Sequence, residues 1–256
     1  PATMPPPASP VPDGLAWDLW LGPTAKRDFY ADYIPKKWRS FYDFGLGMLG
    51  DFGCHTLDTP VWALDLDAPT VVECLARTTS LEGVIPTSSH VRFHFPAKGA
   101  RGPVTMDWFD GPQDWTKVGR IEKFGAENAA HQGRACWMVG SKGLLGCGTH
   151  AGAPVILPDE VRVAWKAAPP EPTIARVAGG PFREWMRAIK GEGPEPGSNF
   201  EYAARLTEII LLGVIAQRFN TRIEWDAKAA RITNRPELNA FVKEPVREGW
   251  SYGETL

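Results

Sequence analysis

Asp51 and His55 stand four residues apart in the stretch DFGLGMLGDFGCHTLDTPVWAL, residues 43–64. On a helix this spacing puts both side chains on one face, with Cβ atoms roughly 6 Å apart. A carboxylate beside an imidazole orients the ring, raises its pKa and makes it a proton donor or acceptor near neutral pH. The same two side chains also offer an oxygen and a nitrogen to a divalent metal. The plainer alternative is a capping aspartate and a core histidine. Asp58, three residues beyond His55, either orients the imidazole or caps nearby backbone. The stretch also contains Gly45-x-Gly47-x-x-Gly50, the spacing of a dinucleotide-binding turn. Such a turn needs a buried apolar strand before it and a crossover unit after it. What precedes Gly45 is KKWRSFYDF, charged and without a run of Val, Ile or Leu. The glycines are therefore not read as a nucleotide turn.

The other histidines bear on the metal alternative. His90 and His94 share one face of a strand, but four strand residues separate them by about 13 Å, too far to ligate one ion. A zinc or manganese site on Asp51 and His55 would need a distant ligand, and His131 in ENAAHQG and His150 in GTHAGAP are the candidates, both on expected loops. Cys54 is turned about 100° around the helix from His55 and is a weaker candidate. Upstream, RDFYADYIPKKWRSFYDF mixes aromatic and basic residues. Tyr33, Trp38, Arg39 and Tyr42 are the candidate substrate-binding residues there, because aromatic faces and polar tips suit a sugar or polar ring. The same residues would otherwise cover the edge of a core.

These side chains have to be held by the elements around them. DGLAWDLWLGP reads as a short helix capped by Asp13 and stopped at Gly22-Pro23. A helix is expected from Met48 to about Leu64, since Leu49, Phe52, Leu57 and Trp62 recur at mostly helical spacing. Strands follow at 70–79, 88–95, 103–110 and 135–141 and in GLLGC, alternating apolar and polar, with short turn-rich links. Two further helices are read in GGPFREWMRAIKG and in SNFEYAARLTEIILLGVIAQRFN, the latter with Ser198 and Glu201 as a capping box. TRIEW closes the pattern as a strand. No βαβ alternation occurs. The fold class is α+β: a large, open, mainly antiparallel sheet with helices on one face and no Rossmann domain.

Bulk properties narrow the partners. A composition of 43% hydrophobic and 23% charged residues is that of an ordinary globular chain. The formal net charge of −2 offers no basic field for nucleic acid or anionic lipid. The longest apolar run, IILLGVIA, falls short of the roughly 20 residues a membrane span requires. Four scattered cysteines without a C-x-x-C pair argue against a zinc knuckle and fit reduced thiols in a cytoplasmic protein. PATMPPPASPVP carries six prolines in twelve residues and is expected to run extended. The domain reading is thus a linker remnant at 1–12 and a single domain at 13–256.

With WDLWLGP (17–23), WRSFYDFGLGMLGDFGCHTLD (38–58) and IEWDAKAARITNRPELNAFV with the later REGW (223–250), the chain resembles the Gfo/Idh/MocA oxidoreductase family over nearly its whole length. Members pair an N-terminal Rossmann domain that binds NAD(P) with a C-terminal α+β domain that binds substrate and builds oligomers through its sheet. The resemblance is to the second part alone, which implies that this chain by itself binds no NAD(P) and is not redox-active. It also implies that Asp51 and His55 are the substrate-binding and proton-transferring groups, and that substrates are small hydroxy compounds such as sugars and polyols. Two other readings stay open. One is a repurposed hydrolase in which Asp51 and His55, with or without a metal, activate water against an activated ester, phosphoester or glycoside. The other is a non-catalytic scaffold whose sheet packs on a copy of itself.

Overall fold

In the computed structural model, which describes residues 3–111 and 134–253, the helices and strands follow the chain in a simple order. Three helices come first: α1 (Trp17–Leu21), α2 (Gly47–Thr56) and α3 (Asp58–Ala63). Six strands follow, β1 (Val71–Arg77), β2 (Ser89–Phe95), β3 (Val104–Asp110), β4 (Cys136–Val139), β5 (Leu144–Cys147) and β6 (Val155–Leu157). Helices α4 (Asp159–Ala167), α5 (Gly180–Ile189) and α6 (Phe200–Phe219) lead to β7 (Arg222–Asp226) and β8 (Arg231–Ile232). The chain divides into two compact units. Pro1–Gly53, Leu66–Gln113 and Ile209–Leu256 form the first, and Cys54–Asp65 with Asp114–Glu208 form the second.

The first unit is built on an open five-stranded sheet in the order β3-β2-β1-β7-β8. Every pairing in it is antiparallel. Alternation in β2 explains its two faces. Ser89, Val91, Phe93 and Phe95 are buried, while His90, Arg92 and His94 face the other way and are partly exposed. On that outer face His90 and Arg92 meet Asp107 at 2.6 and 2.8 Å, and His94 meets Glu73 at 2.8 Å. His90 and His94 thus belong to different hydrogen-bonded pairs, as their separation along the strand requires. On the inner face the second half of α6 lies against the sheet at Gly213. A Cβ there would sit 2.6 Å from the Phe93 ring and 2.9 Å from Leu49 of α2, so only glycine allows so close an approach. Val72, Val91, Phe93, Ile209 and Ile223 are fully enclosed as a result.

The second unit carries a three-stranded antiparallel sheet in the order β4-β5-β6. The strands read from ACWMVGS and GLLGC therefore pair with each other and with β6, apart from the larger sheet. Neither α4 nor α5 has a buried residue. Along α5, Phe182, Trp185, Met186 and Ile189 recur at helical spacing and point outward, Phe182 being 81% exposed.

Several local expectations shift. The helix read from Met48 to Leu64 is two helices, α2 and α3, broken at Leu57. Pro60 is the cause: inside a continuous helix it would remove a hydrogen bond and clash with the carbonyl four residues back, whereas in the first turn of α3 no partner is required. Asp13 does not cap α1, which begins later, with Ala16 at the cap position and no side-chain cap. The cap of α6 is Asn199, whose Oδ1 accepts the Tyr202 N–H at 2.9 Å, instead of Ser198 one residue earlier. From residue 3 onward the proline-rich segment runs without helix or strand, and the Ser9 N–H donates to the Phe29 carbonyl at 2.7 Å. Among the described residues no helix is long and apolar enough to cross a membrane.

Candidate functional site

The glycine-rich approach to α2 has a packing explanation. The Trp38 ring lies over Gly45 so closely that a Cβ would come within 2.5 Å of it. Gly47 opens the helix with φ +66°, a conformation that costs glycine nothing. The motif therefore seats a tryptophan and starts a helix, and no strand precedes it.

Trp38, Arg39 and Asp51 form one cluster in the first unit. The Arg39 guanidinium stacks on the Trp38 ring, 4.4 Å from its centroid, and donates from Nε to Asp51 Oδ2 at 2.6 Å. The three are partly exposed, so the cluster joins an aromatic face to a paired carboxylate at the surface. Of the remaining candidate binding residues, Tyr33 is 1% exposed, packed edge-on against Phe41 and Phe44. Tyr42 is likewise buried, and its hydroxyl donates to Gln217 Oε1 at 3.3 Å. These two rings brace the loop from behind.

His55 lies in the last turn of the same helix as Asp51 and is exposed. In the second unit its ring sits edge-on to that of His150, with centroids 5.1 Å apart. His150 is on the turn after β5, where a loop was expected. His131 lies outside the described residues. Among the described residues no group of three or more His, Cys, Asp or Glu side chains is placed to hold a metal ion. Asp58 opens α3, and its Oδ1 accepts the Tyr202 hydroxyl at 2.6 Å. Burial, then the Asp58 carboxylate, push the Tyr202 pKa upward, so this phenol stays protonated as a fixed donor.

Sequence reading missed Tyr202, which carries no periodic signal of its own. It also missed a chain of buried polar groups in the first unit. Ser89 and Asp110 are directly opposed on β2 and β3. The Ser89 hydroxyl donates to Asp110 Oδ2 at 2.7 Å, and Gln217 Nε2 donates to Ser89 Oγ and Asp110 Oδ2 at 2.7 and 2.9 Å. Burial raises the Asp110 pKa against the opposing pull of its donors. A signal did exist: both residues fall on the apolar side of their strand's alternation, where a polar side chain must find partners.

The WDLWLGP segment is structural too. Trp17 and Trp20 stack at 4.9 Å, and Trp20 meets Phe44 at the same distance. Arg247, from the REGW segment, donates to the Gly22 carbonyl at 2.6 Å and the Asp18 carbonyl at 3.0 Å, and pairs with the Asp18 carboxylate. Two distant motifs are thus halves of one clamp.

Residues 4–96 match the family described as the C-terminal alpha/beta domain of an oxidoreductase family. A crystal structure of an NAD-binding protein from Listeria innocua is similar at 17% identity and a TM-score of 0.45, over 75% of this chain and 51% of that one. The chain therefore spans about half the length of that structure. No curated protein matches it.

Proposed function

We propose, from the match of residues 4–96 to the C-terminal alpha/beta domain of the Gfo/Idh/MocA oxidoreductase family, that this chain supplies the substrate-binding half of a sugar or polyol oxidoreductase. In this reading the nicotinamide nucleotide is held by polypeptide other than these residues. The observation that carries it is the state of the signature helix: α2 presents His55 to solvent and Asp51 at the surface in an ion pair with Arg39. An imidazole that reaches the surface has the geometry to exchange a proton with a substrate hydroxyl. Within the first unit, Asp51 and Arg39 offer polar groups to hydroxyls, and Trp38 offers an apolar wall to a ring. A bound nicotinamide supplies hydride chemistry; this chain's residues orient the alcohol and move its proton.

Calorimetric titration tests the proposal. NAD gives no heat with this chain, whereas members of a panel of hexoses and polyols bind weakly, and His55→Ala weakens that binding. Micromolar affinity for NAD, or sugar binding indifferent to both His55→Ala and Arg39→Ala, would refute it.

The same proposal includes self-association through the outer face of the five-stranded sheet. That face sets His90, Arg92 and His94 among Asp107 and Glu73, a mixture of signs that a second copy can complement. Light scattering that returns the monomer mass at tens of micromolar would remove this part.

A further inference from the structure

The register of β4 and β5 sets Cys136 directly opposite Cys147, and both are free thiols. Opposed residues on antiparallel strands hold their Cα atoms about 4.5–5.5 Å apart. That falls inside the span of roughly 4.4–6.8 Å that a disulfide bridges. The two thiols are also close enough to influence each other electrostatically. The adjacent pair fixes this register. Trp137 lies over Gly146, where a Cβ would come within 2.5 Å of its ring, so a one-residue slip would drive the indole into a side chain. The other two cysteines differ. Cys54 is exposed on α2, and Cys74 donates to the carbonyl of Ala76 in the first unit.

We propose that Cys136 and Cys147 form a reversible cross-strand disulfide, with a low-molecular-weight disulfide as the oxidant. The partly exposed Cys136 is the accessible thiol, whereas Cys147 is only 3% exposed. Cys136 loses its proton and its sulfur attacks one sulfur of the oxidant. The oxidant's S–S bond breaks, and its other half leaves as a thiolate that takes up a proton. Cys147 then attacks the Cys136 sulfur of the mixed disulfide and expels the second half as a thiol. Two protein thiols are oxidised, one small disulfide is reduced to two thiols, and the protons pass to the leaving groups. Burial and the neighbouring thiol push the Cys136 pKa up to about 12, so little thiolate exists at neutral pH and the bond forms slowly. The strands are short, four residues in β4 and in β5 and three in β6, so a covalent tie at their end restrains most of the small sheet.

The test exposes the native chain to oxidised glutathione, quenches with acid, alkylates in denaturant and maps the peptides by mass. The expected product joins the Cys136 and Cys147 peptides with loss of two hydrogens, and a dithiol reductant reverses it. Cys54 carries glutathione instead. Amide exchange slows across Cys136–Val139 and Leu144–Cys147 and is unchanged across Val71–Arg77. Cys136→Ser abolishes the joined product without altering the Cys54 adduct. The proposal is overturned if Cys54 is fully modified while Cys136 and Cys147 are both recovered alkylated. It is equally overturned if the joined product forms as fast in urea as in the native chain, because strand register would then play no part.

Discussion

The second half of α6 in the first unit and α5 in the second use apolar residues in opposite ways. In the first, the second half of α6 is buried on nearly every side. Ile209, Ile210, Leu212, Val214, Ile215 and Ala216 are all buried, and even Gln217 is 1% exposed and fully engaged. In the second, α5 has the cleaner amphipathic pattern, yet Phe182, Trp185, Met186 and Ile189 remain open to solvent. A regular apolar stripe therefore announces a helix but does not say whether anything covers it. Coverage in the first unit comes from shape: Gly213 lets α6 sink onto Phe93 and Leu49. Helices α4 and α5 of the second unit are not seated in this way, and none of their residues is buried.

The sharpest way to break this contrast is to remove one phenyl ring from each side. Phe93→Ala vacates a fully enclosed site between β2, Leu49 and α6. The lost transfer energy plus the cavity costs about 3–5 kcal/mol, a large share of the stability of an ordinary domain. Phe182→Ala removes a ring of the same size that is 81% exposed, and changes stability by no more than about 0.5 kcal/mol. Urea unfolding followed by fluorescence and by far-UV dichroism checks both. If Phe182→Ala costs as much as Phe93→Ala, the apolar face of α5 is covered in solution, and the difference between the units lies elsewhere.

That contrast also explains what could be read before the structure. The strands of the larger sheet were legible because one face is wet, which leaves a period of two in β2 and β3. The helix carrying Asp51 and His55 was legible from its apolar repeat. Its break was not, because a repeat that runs on past Leu57 conceals the effect of Pro60. The pairing of β4 with β5 and β6 as a separate sheet is not encoded in any one strand, since alternation gives faces but not neighbours. At the site, spacing placed Asp51 and His55 on one helix, but their partners Arg39 and His150 come from other segments and leave no local mark. The aromatic loop shows the limit most clearly. Trp38 and Tyr33 are alike in type and close in sequence, yet one ring is partly open over Gly45 and the other is sealed among Phe41 and Phe44.

A finer test of the same contrast uses two carboxyls whose pH dependences have opposite signs. Asp110, inside the first unit, has its pKa raised by burial. Between its unfolded value of about 3.9 and its higher folded value, the native state binds more protons than the unfolded chain. Stability from this group is complete below about pH 3.9 and declines as pH rises through the folded value. Asp159, on the exposed first turn of α4, has its pKa lowered, chiefly by the Arg162 hydrogen bond, with an ion-pair distance of 3.0 Å. Its contribution is present above about pH 3.9 and is lost as pH falls through the folded value. It is small because solvent screens the pair. Asp110→Asn should therefore remove a downward slope in urea midpoint as pH rises above about 4. Asp159→Asn should remove a weaker upward slope at the acid end. Gln217 and Ser89 still have an oxygen to donate to in Asp110→Asn, so the buried chain survives and the slope alone is read. Equal slopes of the same sign for the two variants would mean that Asp110 meets water as freely as Asp159, and that the interior of the first unit is not as dry as its burial indicates.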